Sequence, residues 1–253
     1  MLKIENISKQ YKAGRFRKEK ASGEVLQNVS FDVETGDFVS IVGPSGCGKT
    51  TLINLIMGLD KPDSGAIYID GEKVTGVDDD RALVFQENAL FPWLTVEENV
   101  ELGLRVKGFK RQERRRIAAH YLNITGMLDS MNCCIHQLSG GMKQRVAIAR
   151  ALAIESKILV MDEPFGALDA STKASLHSEI LKIWKETGKT VIFVTHDIEE
   201  AVKLSKKVIV MGFAPDNIKE IIDIPLGYPR EENDETLSYI HRIKAVIARS
   251  TEQ

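Results

Sequence analysis

Cysteine is scarce in this chain: 3 in 253 residues, with Cys133 and Cys134 adjacent. So few cannot build a disulfide framework, and they fit a reducing compartment. An excess of one charge is also missing. Lys plus Arg total 34 against 36 Asp plus Glu, a formal net charge of −2, which argues against a protein that coats nucleic acid by charge alone. Long apolar runs are absent. The longest stretches free of Lys, Arg, Asp and Glu are Phe38–Gly48, Ile117–Leu128 and Ser130–Met142, each too short to span a bilayer and each containing glycine and other polar residues. No repeat with a period of roughly 20–50 residues recurs, which speaks against a repeat architecture. The opening Met1-Leu2-Lys3-Ile4-Glu5 lacks the basic-then-apolar start of a signal peptide. What is present, 43% hydrophobic and 28% charged residues with 7 Pro and 19 Gly, is the composition of a soluble globular protein. A cytosolic protein with one large domain or two small ones is the expectation.

Patterning predicts strands at Leu2–Ile7, Val25–Val33 and Phe38–Val42, with a basic hairpin or exposed loop at Gly14–Gly23. A Gly-rich turn then leads into a buried helix at Thr50–Leu59, followed by short strands at Ala66–Ile69 and Ala82–Phe85. From Pro92 to Ile154 the spacing is helical. Strand signals return at Ile158–Met161, Thr190–Thr195 and Lys207–Met211, alternating with helices at Ala170–Thr187, Asp197–Leu204 and Glu235–Ser250. Such alternation implies an α/β fold with a mostly parallel sheet, into which the 92–154 block is inserted as helices. Arg105–Arg116 holds seven basic residues and one acid, a local charge of +6 (7 − 1). It reads as a solvated helix face, with an acidic partner or membrane headgroups as the alternative.

Chemistry concentrates first at Gly43-Pro44-Ser45-Gly46-Cys47-Gly48-Lys49-Thr50, which satisfies G-x-x-x-x-G-K-[ST] between a predicted strand and a predicted helix. Glycines there let successive backbone N–H groups turn inward to cradle phosphate oxygens, and the helix N-terminus favours the negative charge. Lys49 would reach the β- and γ-phosphates, and the Thr50 hydroxyl would ligate Mg²⁺. Cys47 reads as a small residue tolerated in the loop, close enough to the phosphates for its alkylation to matter. Next, Asp162-Glu163-Pro164 follows the apolar run Ile158–Met161. Alone this carboxylate pair would be two solvated side chains. With the phosphate loop, Asp162 supports the metal through water and Glu163 orients or deprotonates the attacking water. Finally, Leu138-Ser139-Gly140-Gly141-Met142-Lys143-Gln144-Arg145 opens a mainly apolar helix, with Ser139 as its N-cap. By itself this is an ordinary capped start. Together with the loop it is a second anion site, and a dimer in which each chain completes the other's site would explain both.

These motifs, in this order and spacing, resemble the ATP-binding subunits of ABC transporters over essentially the whole chain. The resemblance implies a P-loop NTPase core (1–91 and 155–253) with an N-terminal antiparallel β portion and a helical subdomain (92–154), all within one ABC ATPase domain spanning 1–253. It implies nucleotide contacts from the phosphate loop, extended to Thr51, and from Ser139, Gly140 and Gly141 of the signature segment. It assigns Gln86 to Mg²⁺ and water, Asp169 to the junction with the other subunit, His196 to the γ-phosphate and Tyr11 to stacking on adenine. The catalytic set is then Glu163, His196, Gln86 and Lys49, and the metal set Thr50, Gln86 and Asp162.

Softer features, Leu90–Val100, His196–Ala201, Ile224-Pro225-Leu226 and Pro229-Arg230, are similar to importers of the nitrate/sulfonate/taurine type. Phe91 and Trp93 belong either to ordinary core packing or to the groove that receives the permease. With 253 residues, the extra β-rich regulatory domain that many sugar importers carry is not expected. Two departures stand out: the basic 14–23 segment, and Gly166 where the family often has serine. The resemblance implies a cytoplasmic, peripheral ATPase on the inner face of the cell membrane. As a homodimer with ATP it would drive a small solute (nitrate-, sulfonate- or taurine-like, or a vitamin precursor) through permease subunits fed by an external solute-binding protein. An exporter or lipoprotein-release ATPase is the alternative. A soluble ATPase acting on nucleic acid or ribosomes fits less well, and no nucleic-acid partner is expected.

Overall fold

Buried Leu2, Ile4 and Ile7 write the inner face of β1 (Leu2–Tyr11), and the left-handed Asn6 (φ 49°) shifts the alternation by one where the register slips. The computed structural model of the protein describes residues 1–11, 23–166 and 168–251. The basic segment expected at Gly14–Gly23 falls, except for Gly23, outside the described residues. Two compact units divide the chain: Met1–Asp78 with Ile192–Gln253, and Asp79–Val191. Among the described residues no helix is long and apolar enough to cross a membrane.

In the first unit β1 pairs antiparallel with β2 (Gly23–Val33); β3 (Phe38–Val42) follows, and β4 (Ser64–Ile69) pairs with the other edge of β1. The short β5 (Glu72–Lys73) completes this four-stranded sheet in the order β2-β1-β4-β5. A second set of strands is built around β3, whose five positions are all buried, the pattern of a strand covered on both faces. β9 (Lys207–Met211) runs parallel to β3, with Ser40 opposite Val208, and β10 (Ile218–Asp223) is antiparallel on its outer edge. The last three residues of β8 (Thr190–Val194) belong to this unit and border β3 on the other side, where Phe38 and Phe193 lie 5.8 Å apart.

The helices of this unit are α1 (Lys49–Ile56), α6 (Ile198–Leu204) and α7 (Asp234–Thr251). Val42, Val202, Val208, Val210, Ile222, Ile240 and Ile243 form the core that holds α6 and α7. The Pro229-Arg230 pair has a structural task here. Arg230 is buried and donates to the carbonyls of Val202 (2.6 Å), Ser205 (2.6 Å), Ile224 (3.0 Å) and Leu226 (2.9 Å), closing the C-terminus of α6.

The second unit contains β6 (Arg81–Val84) parallel to β7 (Ile158–Asp162), with Val84 opposite Met161. Its helices are α2 (Val96–Val106), α3 (Arg111–Ile124), α4 (Gly140–Ala153) and α5 (Ala170–Thr187), so the helical block expected at 92–154 lies inside it. α2 begins with a capping box: Glu98 N–H donates to Thr95 Oγ1 (3.2 Å) and Thr95 N–H to Glu98 Oε2 (2.8 Å). Behind it the buried Asn99 amide donates to Phe91 O (3.1 Å) and Thr95 O (2.9 Å) and accepts from Phe91 N–H (2.8 Å). This fixes the turn that carries Trp93, which is 76% exposed, so core packing is excluded for that residue. The basic run at Arg105–Arg116 is in part internally paired: Lys107 with Asp79, Arg114 with Glu101 and Arg115 with Glu97.

Candidate nucleotide site

β3 delivers its chain into the loop 43–48, and the loop ends in the helix α1. Gly48 caps that helix at φ 104°, a conformation only glycine adopts without strain, and a β-carbon there would lie 2.7 Å from Leu26 Cδ2. A β-carbon on Gly43 would lie 2.5 Å from the Met211 carbonyl oxygen. Lys49 is buried, and its ammonium donates to the carbonyls of Gly43 (2.9 Å) and Pro44 (3.0 Å), so it crosses the mouth of its own loop. Ser45, Gly46 and Thr50 are exposed, with Pro44 and Thr51 half-buried. Cys47 is buried, and that burial pushes its thiol pKa up, so the thiolate needed for alkylation is disfavoured.

Tyr11 stands at the end of β1, 41% exposed. Its hydroxyl donates to Asp60 Oδ2 (3.0 Å), the Lys9 ammonium lies 5.4 Å from its ring centre, and it also hydrogen-bonds Thr51 of α1. Burial raises the Tyr11 pKa, with Thr51 opposing. An exposed ring beside the phosphate-loop helix is a platform for a flat base.

His196 is exposed just beyond β8, and its neighbours are tightly held. Thr195 N–H donates to Ile41 O of β3 (3.2 Å), so the His196 turn and the phosphate loop start at the same end of neighbouring strands. The buried Thr195 hydroxyl donates to Glu200 Oε2 (2.7 Å) and accepts from Asp197 N–H (3.0 Å). Asp197 in turn caps α6, accepting from Glu199 N–H at 3.0 Å.

In the second unit the parallel pairing of β6 and β7 brings Gln86 and Asp162-Glu163 to one strand end. Gln86 Nε2 donates to Glu163 Oε2 at 3.4 Å. Glu163 sits at φ 45°, in the left-handed region, a conformation that costs about 1–3 kcal/mol in a residue other than glycine and recurs at functional sites. A β-carbon on Gly166 would make only ordinary contacts, 3.6 Å from Glu163 O, so the departure from serine has no steric cause.

Ser139 caps α4 as expected, accepting from Met142 N–H at 3.3 Å. Ser139 and Gly140 are exposed, whereas Gly141 is buried with no room for a β-carbon, which would lie 2.6 Å from Thr172 Cγ2. Asp169 caps α5 through Ser171 N–H (3.1 Å) and Thr172 N–H (3.0 Å). The Ser171 and Thr172 hydroxyls add to this and hold the exposed carboxyl far below the usual carboxylate range.

The groups assigned to a metal, the Thr50 hydroxyl, the Gln86 amide and the Asp162 carboxylate, all offer hard oxygen donors of the kind Mg²⁺ takes, so the donor chemistry fits. Sequence reasoning missed the residues that brace the site. Asn217 is buried, and its amide donates to Val25 O (3.0 Å), Gly212 O (3.1 Å) and Cys47 O (3.4 Å) of the phosphate loop while accepting from Gln27 N–H (2.8 Å). No local signal marks it, because its partners lie as far as 192 positions away.

Comparison with known proteins gives consistent findings. A family profile described as ABC transporter matches residues 26–166. An uncharacterized ABC transporter ATP-binding protein of Methanocaldococcus jannaschii is 44% identical over 247 residues, 97% of this chain and 91% of that one. The nitrate import ATP-binding protein of a Synechocystis species is 47% identical over 208 residues (82% of this chain, 78% of that one), and the taurine import ATP-binding protein of Roseobacter denitrificans 45% over 204 (81% and 76%). Among solved structures, a dimeric ATP-binding cassette in a post-hydrolysis state with ADP and phosphate superposes with a TM-score of 0.76 at 38% identity, covering 90% of this chain and 100% of that one.

Proposed function

Because the chain belongs to the ABC transporter family of ATP-binding proteins, we propose that it is the ATP-hydrolysing subunit of an importer for a small solute of the nitrate, sulfonate or taurine type. The observation that carries this reading is the similarity, at 43–47% identity, to subunits named for import of those solutes. That similarity favours import over the exporter and lipoprotein-release alternatives.

ATP enters with its phosphates against the backbone N–H groups of the 43–51 loop and its adenine on Tyr11. Lys49 exchanges its two loop carbonyls for phosphate oxygens, which keeps the buried ammonium hydrogen-bonded throughout. Glu163, steadied by the Gln86 amide, orients the attacking water and accepts its proton. His196 contacts the γ-phosphate from a turn locked by Thr195 and Glu200. Thr50, Gln86 and, through water, Asp162 would hold Mg²⁺, which when bound would supply positive charge against the phosphates. Ser139, Gly140 and Gly141 of a second copy close the site, with Asp169 at the junction; the dimeric form of the solved relative supports this arrangement. The assembly works on the inner face of the cell membrane, bound to permease subunits that take solute from an external binding protein.

The test uses tagged Glu163→Gln protein with Mg-ATP on detergent-solubilised membranes. We expect hydrolysis to drop at least about a hundredfold, an ATP-bound dimer to persist, and a multi-span permease to copurify. Recovery of ribosomal or nucleic-acid proteins without a permease refutes the importer, and rapid steady hydrolysis refutes the role of Glu163.

A further inference from the structure

Beyond Gln86 the chain makes a turn that is left-handed at two successive residues other than glycine, Asn88 (φ 55°) and Ala89 (φ 45°). A β-carbon disfavours this conformation, and alanine lacks the side-chain amide that helps asparagine adopt it. Such a turn persists only where its surroundings hold it. The hold comes from α4. Arg150, in the last turn of that helix, donates to Ala89 O at 2.6 Å and to Asn88 O at 2.8 Å. A planar guanidinium presents two donors side by side to two neighbouring carbonyls, which a lysine ammonium cannot match. The same helix opens at the Ser139 cap, so one rigid element fastens the Gln86 loop and presents the signature segment. Asn99 fixes the far end of the loop through Phe91, the stretch between has a local turn bond from Asn88 N–H to Phe85 O (3.2 Å), and its tie to α4 is made by Arg150.

We propose that Arg150 is a positioning residue for Gln86: by clamping the carbonyls of Asn88 and Ala89 it keeps the Gln86 amide against Glu163 and ties that loop to the signature helix. This rests on the reading of Gln86 and Glu163 as parts of the hydrolytic site.

Steady-state ATP hydrolysis of the full-length chain is measured for Arg150→Gln, Gln86→Ala and the double variant, with hydrogen exchange followed over residues 85–92. Arg150→Gln is expected to lower kcat about tenfold with KM changed less than about twofold, and to add no loss on top of Gln86→Ala. Exchange over residues 85–92 should accelerate at least about tenfold. Wild-type hydrolysis by Arg150→Gln, losses that multiply in the double variant, or unaltered exchange would each overturn the proposal. Wild-type hydrolysis by Gln86→Ala alone strikes the reading of Gln86, and exchange then decides the role of Arg150 by itself. Should Arg150→Gln fail to fold, Arg150→Lys carries the same cycle, with an expected loss of about threefold because one carbonyl keeps a donor.

Discussion

Replacing Asn217 tests how far the phosphate loop depends on support from outside its motif. In Asn217→Ala, the Val25 and Gly212 carbonyls lose donors at 3.0 and 3.1 Å, and Gln27 N–H loses its acceptor at 2.8 Å. Leaving a buried polar group without its partner costs about 1–3 kcal/mol, and partial relaxation brings the expected total to about 3 kcal/mol. Asn217→Asp separates the donor role from the acceptor role. The introduced carboxyl would face three carbonyl oxygens, so it folds in most readily when protonated and its folded-state pKa is raised. A raised folded pKa means that the native state binds the extra proton, so stability falls as pH rises from the unfolded pKa towards the folded one. Over that window the slope is about 1.4 kcal/mol per pH unit. Urea denaturation followed by far-UV circular dichroism at pH 5, 6 and 7 reads both variants. The deficit of the Asp variant relative to the Ala variant should widen with pH. A loss below about 0.5 kcal/mol for Asn217→Ala, or a pH-independent gap between the two, refutes the reasoning.

Two further substitutions probe other contacts. Gly141→Ala places a methyl group 2.6 Å from Thr172 Cγ2, so ATPase activity should fall and Thr172→Ser, which keeps the hydroxyl on Asp169, should restore much of it. A double variant no better than the single one removes steric contact as the cause. Arg230→Ala takes the donors from four carbonyls around the end of α6 and should lower stability by about 2–4 kcal/mol in urea titrations; a midpoint unchanged from wild type would show that other donors cap that helix.

The phosphate loop and the Ser139 cap were legible because each is a contiguous run whose local geometry depends on immediate neighbours, whereas the Asp162-Glu163 pair took on meaning only beside the loop motif. Their flanking strands and helices were legible for the same reason: full burial or a clean period shows within a few residues. β10 was not, since Ile218-Lys219-Glu220-Ile221-Ile222-Asp223 mixes the two faces of an edge strand and leaves Ile221 41% exposed. β5 is two residues long and carries no pattern. Arg150 and Asn217 stayed hidden because most of the carbonyls that decide what they do lie far along the chain, 61 and 62 positions away for Arg150 and 170 and 192 for two of the three that Asn217 meets. The charge of the 105–116 run was read correctly, whereas its pairing with Glu97 and Glu101 on α2 needed the packing of α3 to appear.

The Asn99 amide has a consequence for assembly. Ordering one residue of backbone costs about 1–2 kcal/mol, and the turn Phe91–Thr95 comprises five residues whose chain is already fixed from behind by that amide. A protein that seats itself on Trp93 therefore meets a surface whose freezing was completed during folding, and the free energy of that contact goes into holding the two proteins together rather than into arranging the loop.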